Sequence, residues 1–167
     1  MTAARPLQVG VSELLRHPGS RRAFAAEVVL DGLETSVAAV PEGGAVAVDL
    51  TLESLSVSVV ATGSVTVPWT GLCRRCLDPV HGDAVTDVRE IFEHDAVEGE
   101  TYPLTGETLD LEPMVRDAAL LALPLAPLCR EDCRGPAPEA FPTGLADDGA
   151  EAPDPRWAAL EGLRFDE

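Results

Sequence analysis

Hydrophobic and polar positions alternate most cleanly in the middle of the chain. Ala45-Val-Ala-Val-Asp-Leu-Thr-Leu52 alternates in its second half, and Leu55-Ser-Val-Ser-Val59 alternates throughout. A period of two puts one face of a strand on a core and the other toward solvent. Gly63 breaks the run, and Ser64-Val-Thr-Val67 resumes it before Trp69. A further strand is predicted over Asp83–Phe92, with Val85, Asp87, Arg89 and Ile91 on one face and Ala84, Thr86, Val88 and Phe92 on the other. Upstream, Phe24–Leu30 and Leu33–Val37 read as a hairpin about Asp31-Gly32, a dipeptide that tolerates positive φ. Tyr102–Leu104 and Glu107–Leu109 are predicted as short edge strands. The connections are too short for crossover helices, so an antiparallel meander is expected.

Helical spacing shows in three places. Val11-Ser-Glu-Leu-Leu-Arg16 predicts a brief helix, capped by Ser12 and stopped by Pro18-Gly19. A longer helix follows Asp110, which can cap it, with Pro113 in its first turn and Pro124 at its end. Leu111, Met114, Val115, Ala118, Leu121 and Ala122 share one of its faces, and Leu120 and Leu123 lie on the other. Its second half is either buried in the sheet or offered to a partner. From Gly135 to Pro155, Gly, Pro, Ala and acidic residues dominate, which suits a linker. Beyond it, 156–164 carries Trp157, Leu160 and Leu163 at helical spacing, so Trp157 and Leu160 are candidate partner anchors. The expected fold is α+β: a mainly antiparallel sheet or partly open barrel, one main helix over 111–122 and a short C-terminal helix. The expected division is a β-rich domain over 1–134, a linker over 135–155 and a helical motif over 156–164.

Composition adds a sign to this picture. Hydrophobic residues make up 46% of the 167, enough to bury a core. No apolar run approaches roughly 18 residues, and the N-terminus does not read as a signal peptide, so no membrane association and a cytoplasmic location are expected. The formal net charge is −17, with 29 acidic residues against 12 basic ones, all of them arginine. Such a surface as a whole repels nucleic acid and attracts basic proteins.

The four cysteines form two close pairs, Cys73 with Cys76 and Cys129 with Cys133. Two such pairs are the donor set of a four-thiolate zinc site, and zinc prefers soft ligands in a tetrahedral shell. Cys73, Cys76, Cys129 and Cys133 are therefore the candidate metal ligands; the alternative is four reduced or disulfide-bonded cysteines without metal. Arg74 and Arg75 lie between the first two, and Arg130 and Arg134 beside the second two. If the pairs meet, four guanidinium groups gather on an acidic protein and suit phosphate, hence RNA. Alternatively they pair with Asp78, Glu131 and Asp132. Arg16, Arg21 and Arg22 form a second basic cluster near the first helix.

Catalytic signatures are missing. There is no Gly-rich phosphate loop, Ser/His/Asp pattern or zinc-protease helix, and His17, His81 and His94 are scattered. His81 is close enough in sequence to Cys76 to serve as a ligand, but four thiolates already suffice. A zinc held by four thiolates is coordinatively closed, with no position for an activated water. The residues argue against an enzyme and give no small-molecule substrate or further cofactor.

Several stretches taken together resemble the YceD family of large ribosomal RNA subunit accumulation proteins. They are Arg16-His-Pro-Gly-Ser-Arg21, Val65 to Pro79 with its Cys-Arg-Arg-Cys-Leu-Asp-Pro, Leu109-Asp-Leu-Glu-Pro-Met-Val-Arg-Asp117, Leu121 to Cys129, and Asp154-Pro-Arg-Trp-Ala-Ala-Leu160. The resemblance, to high-GC bacterial members, implies a non-catalytic role in 23S ribosomal RNA accumulation and large-subunit assembly. The implied partners are that RNA or a pre-large-subunit particle, or alternatively a basic zinc-ribbon ribosomal protein escorted by this acidic chain. Many similar proteins continue after the second pair with Gly-Leu-Cys-Pro-x-Cys-Gly. This chain reads Gly135-Pro-Ala-Pro-Glu-Ala-Phe-Pro, so ligands supplied by that tail are missing.

Overall fold

Alternating burial builds eight strands and leaves room for two helices in the computed structural model, which describes residues 6–140. In chain order they are β1 (Gln8–Gly10), α1 (Ser12–Arg16), β2 (Arg21–Val29), β3 (Ala38–Ala39), β4 (Ala45–Ser54), β5 (Ser58–Leu72), β6 (Pro79–Glu93), β7 (Tyr102–Thr105), β8 (Thr108–Asp110) and α2 (Glu112–Ala122). One curled, half-barrel sheet runs β1-β8-β7-β6-β5-β4-β2, with β3 added to β5. The fold is mainly β with two helices, an α+β arrangement. The chain separates into two compact units, Met1–Cys133 and Arg134–Glu167, and every element named lies in the first. In the second, the described residues make turns, with the Ala140 N–H donating to the Ala137 carbonyl at 3.0 Å.

The core follows the period-two reading. Val46, Val48, Leu50 and Leu52 of β4 point inward, as do Val59, Ala61, Val65 and Val67 of β5 and Val88 and Phe92 of β6. Val85, Asp87 and Arg89 face out. α2 lays Met114, Val115, Ala118 and Ala119 into the same cluster. Each fully buried aliphatic side chain contributes about 1.5–3 kcal/mol relative to exposure.

Several expectations are corrected. Gly63 does not interrupt a strand: β5 runs unbroken for 15 residues because a bare Cα there lets the β4 backbone at Asp49 and Leu50 come close. Leu55 and Val57 belong to the hairpin tip between β4 and β5, where both are exposed. The Asp31-Gly32 hairpin does not form. β2 pairs with β4 instead, and the Thr35 hydroxyl accepts from the Val37 and Ala38 N–H groups, holding a local turn where a strand was expected.

The meander contains one parallel pairing, Phe92 to Tyr102 and Glu93 to Pro103. β7 and β8 form a tight hairpin about Gly106, and neither is an edge, since β1 covers β8. Ser12 is the first residue of α1 rather than its cap, and Val11 precedes it without a side-chain cap bond. Asp110 does accept from the Glu112 N–H at 3.1 Å, although Leu111 occupies the cap position of α2. The buried face of α2 is rotated by one position: Leu121 is 85% exposed, while Ala119 and Leu123 are buried.

Candidate metal centre

The first cysteine pair is the tip of the β5–β6 hairpin, immediately beyond the last register pair, Leu72 with Pro79. The Cys73 N–H donates to the Asp78 carbonyl at 2.8 Å, and the Leu77 N–H donates to the Cys73 carbonyl at 2.9 Å. Leu77 closes this turn with φ 63°, a left-handed conformation uncommon for a residue with a Cβ. The second pair follows α2 on an irregular segment, where the Cys133 N–H donates to the Arg130 carbonyl at 3.1 Å.

The two segments meet. Sγ of Cys73 lies 3.8 Å from Sγ of Cys133, Sγ of Cys76 lies 3.7 Å from Sγ of Cys129, and all four sulfurs are within 4.8 Å of one another. Four sulfurs placed tetrahedrally at about 2.3 Å from one ion would lie about 3.8 Å apart. All four cysteines are free thiols. Cys73 and Cys133 are buried, Cys76 is half-buried and Cys129 is exposed. Val80, Trp69 and Leu128 pack an apolar collar around the buried pair.

The thiols of the cluster are shifted in opposite directions. The backbone N–H groups of Cys76 and Cys129 hold the Cys73 thiol down to about 6 against the effect of burial. At Cys76 the Asp78 N–H favours the thiolate, but burial and the hydrogen bonds with Cys73 and Asp78 outweigh it and push the thiol up. Cys129 is raised by the neighbouring Cys133 thiol and by partial desolvation of its sulfur within the cluster. A divalent cation is what makes several thiolates in so small a space favourable. Among the described residues the cluster consists of the four cysteines; His81 lies on β6 opposite Thr70 and is exposed.

The arginines divide by task. Arg75 is a strap: its guanidinium donates to the carbonyls of Glu131 at 3.1 Å and Cys133 at 2.6 Å, joining the two cysteine segments. Arg74 adds a backbone bond to the Pro127 carbonyl at 2.9 Å. Arg130 pairs with Asp132 at 3.3 Å, with both side chains exposed. Arg134 begins the second unit. Arg21 binds Glu53 and Arg22 binds the Gly10 carbonyl. They and Arg16 belong to the far end of the sheet, since β5 runs its whole length from the Glu53–Val60 pairing to the cysteine hairpin. Trp157 and Leu160 lie outside the described residues. The strap and the left-handed Leu77 carried no sequence signal beyond proximity to cysteine. Beside the centre, Val37, Leu72, Leu77 and Leu125, all exposed, line a shallow groove of about 490 Å³.

A family model described as large ribosomal RNA subunit accumulation protein YceD matches residues 61–164, which include both cysteine pairs. Uncharacterized proteins of Mycobacterium bovis and Mycobacterium tuberculosis are each 36% identical over 169 residues, covering 94% of this chain and 81% of theirs. An uncharacterized protein of Mycobacterium leprae is 33% identical over 174 residues, covering 95% and 77%. No solved structure matches the chain significantly.

Proposed function

The chain belongs to the YceD family, and from that premise we propose that it is a non-catalytic assembly factor supporting accumulation of 23S ribosomal RNA in the large subunit. The family's name supports the ribosomal role. The observation that carries the molecular reading is the meeting of the two cysteine segments, which groups Arg74 and Arg130 on one acidic protein. Those guanidinium groups are the proposed phosphate contacts, with Arg134 beside them in sequence. Arg75 serves mainly as the strap, and Arg16, Arg21 and Arg22 would form a separate contact at the other end of the sheet. Cys73, Cys76, Cys129 and Cys133 would hold one zinc ion as a closed structural centre that fixes the hairpin tip to the segment after α2. No open coordination position remains for hydrolytic chemistry, which agrees with a factor that binds rather than reacts.

Replacing Arg74 and Arg130 together by Gln tests the RNA contact. Binding to precursor large subunits should weaken at low salt. The slope of log K against log salt should become shallower by about one for each phosphate that is no longer neutralised. Unchanged affinity and slope would remove RNA binding by these arginines from the reading. A second reading, escort of a basic zinc-ribbon ribosomal protein, is supported by the −17 charge. It would use the acidic surface and the groove beside the cysteines, with Trp157 and Leu160 as further candidate anchors.

A further inference from the structure

The half-barrel ends in two strand edges, those of β1 and β2. The Leu55 N–H donates to the Ser58 carbonyl, and the Ser54 N–H donates to the Ser20 carbonyl. Odd residues of β4 therefore face β5, even ones face β2, and their partners Arg22, Phe24, Ala26 and Val28 face back. The N–H and C=O groups of Arg21, Ala23, Ala25, Glu27 and Val29 consequently point away from the sheet, and no backbone group pairs with them among the described residues. On β1, the Leu111 N–H donates to the Leu7 carbonyl and the Val11 N–H to the Glu107 carbonyl, leaving Gln8 and Gly10 directed outward. Among the described residues the Arg22 guanidinium crosses from one edge to the other, reaching the Gly10 carbonyl at 2.9 Å.

Natural sheets blunt long edges with proline, bulges or a covering element. Among the described residues β2 carries no proline, bulge or covering element, its only such device being the charges of Arg21, Arg22 and Glu27, and nine residues keep an unbroken register with β4. Beside it a cleft of about 400 Å³ opens, lined by Leu7 and Gln8 on one side and Glu27 to Asp31 on the other. Its rim carries Glu27, Asp31, Asp110 and Glu112 against a single arginine, Arg116, which already bonds to Glu112 and to the Asp31 carbonyl. We propose that the outer edge of β2 is a docking site for an extended, basic segment of a partner protein, which adds to the sheet as a further strand. Main-chain bonds to Ala23, Ala25 and Glu27 supply its affinity, and the carboxylates select its positive side chains. A second copy of this chain is a poorer occupant, because each copy carries −17. The inference goes beyond the assembly role and does not depend on it.

The test uses the purified full chain and a short peptide of alternating valine and lysine, with a valine–glutamate peptide as control. Amide exchange should slow at Ala23, Ala25 and Glu27 on adding the lysine peptide, and stay unchanged at Phe24, Ala26 and Val28, which already bond to β4. The control should do neither. Ala25→Pro removes one outward N–H without touching the β2–β4 ladder and should weaken binding at least about tenfold. Should that variant misfold, Glu27→Lys with Asp31→Lys replaces it, and preference should shift toward the glutamate peptide. Lysine-peptide binding without slowed exchange at those three amides, or no binding, overturns the proposal. So does finding those amides already protected in the free chain, which would place its own residues or a second copy on the edge.

Discussion

Gly63 and Tyr102 show how single residues set what the sheet tolerates. A Cβ at position 63 would run into the Asp49 carbonyl and the Leu50 backbone, both parts of a paired strand that cannot move alone. Gly63→Ala should therefore cost about 3 kcal/mol by overpacking, read as a lowered denaturant midpoint at unchanged m-value. Tyr102 is the only tyrosine in the chain, so phenolate absorbance reports on it alone. Burial raises its pKa, and its hydroxyl donates to Asp117 at 2.8 Å, with the charges of Asp117 and Glu90 adding to the shift. The unfolded phenol titrates near about 10 and the folded one higher, so the folded state keeps its proton longer. This contribution to stability is present below about pH 10 and is lost as pH rises past that value. A titration midpoint at the ordinary value in the folded protein would contradict it. Asp117→Asn should lower the midpoint by removing a charge that opposes ionisation.

Among the elements, the cysteine hairpin and the segment after α2 make the sharpest prediction. The purified protein should contain about one zinc per chain by elemental analysis, and Cys129→Ser should release it. Chelation should loosen the hairpin tip without unfolding the sheet, because the main core cluster includes none of the four cysteines. Melting of the sheet on chelation, or metal-free protein purified under reducing conditions, would count against the centre. The strands of this core were legible because their alternation is local: Val46 to Leu52 and Ala84 to Phe92 fall on the expected faces. Pairing was not legible, since whether β2 joins β4 or the segment after Asp31-Gly32 depends on which edge is free. The same limit hid the burial of β8 under β1 and the rotation that exposes Leu121. At the centre, spacing gave the four ligands, but only the fold could show that Arg75 is spent on two carbonyls.

At the scale of the whole molecule, a strongly acidic chain carries a few arginines where its segments converge, and charge alone does not decide between RNA and protein partners. Pulldown from cells with and without nuclease does. The RNA reading expects large-subunit precursor RNA to be captured and the accompanying ribosomal proteins to disappear with nuclease. The escort reading expects one basic protein to survive nuclease and to be released when residues 136–167 are removed. The Arg75 strap has one more consequence. The carbonyls of Glu131 and Cys133 are tied to the hairpin tip by a side chain, so a bond besides the thiolates joins the two halves of the socket. Metal uptake would then be loading rather than folding, and calorimetry of the reduced apoprotein should show a heat-capacity change far smaller than coupled folding produces. A protein of that kind would gain and lose its ion with the free zinc around it, loosening at the hairpin tip while the sheet stays folded, so its occupancy would follow the metal status of the cell.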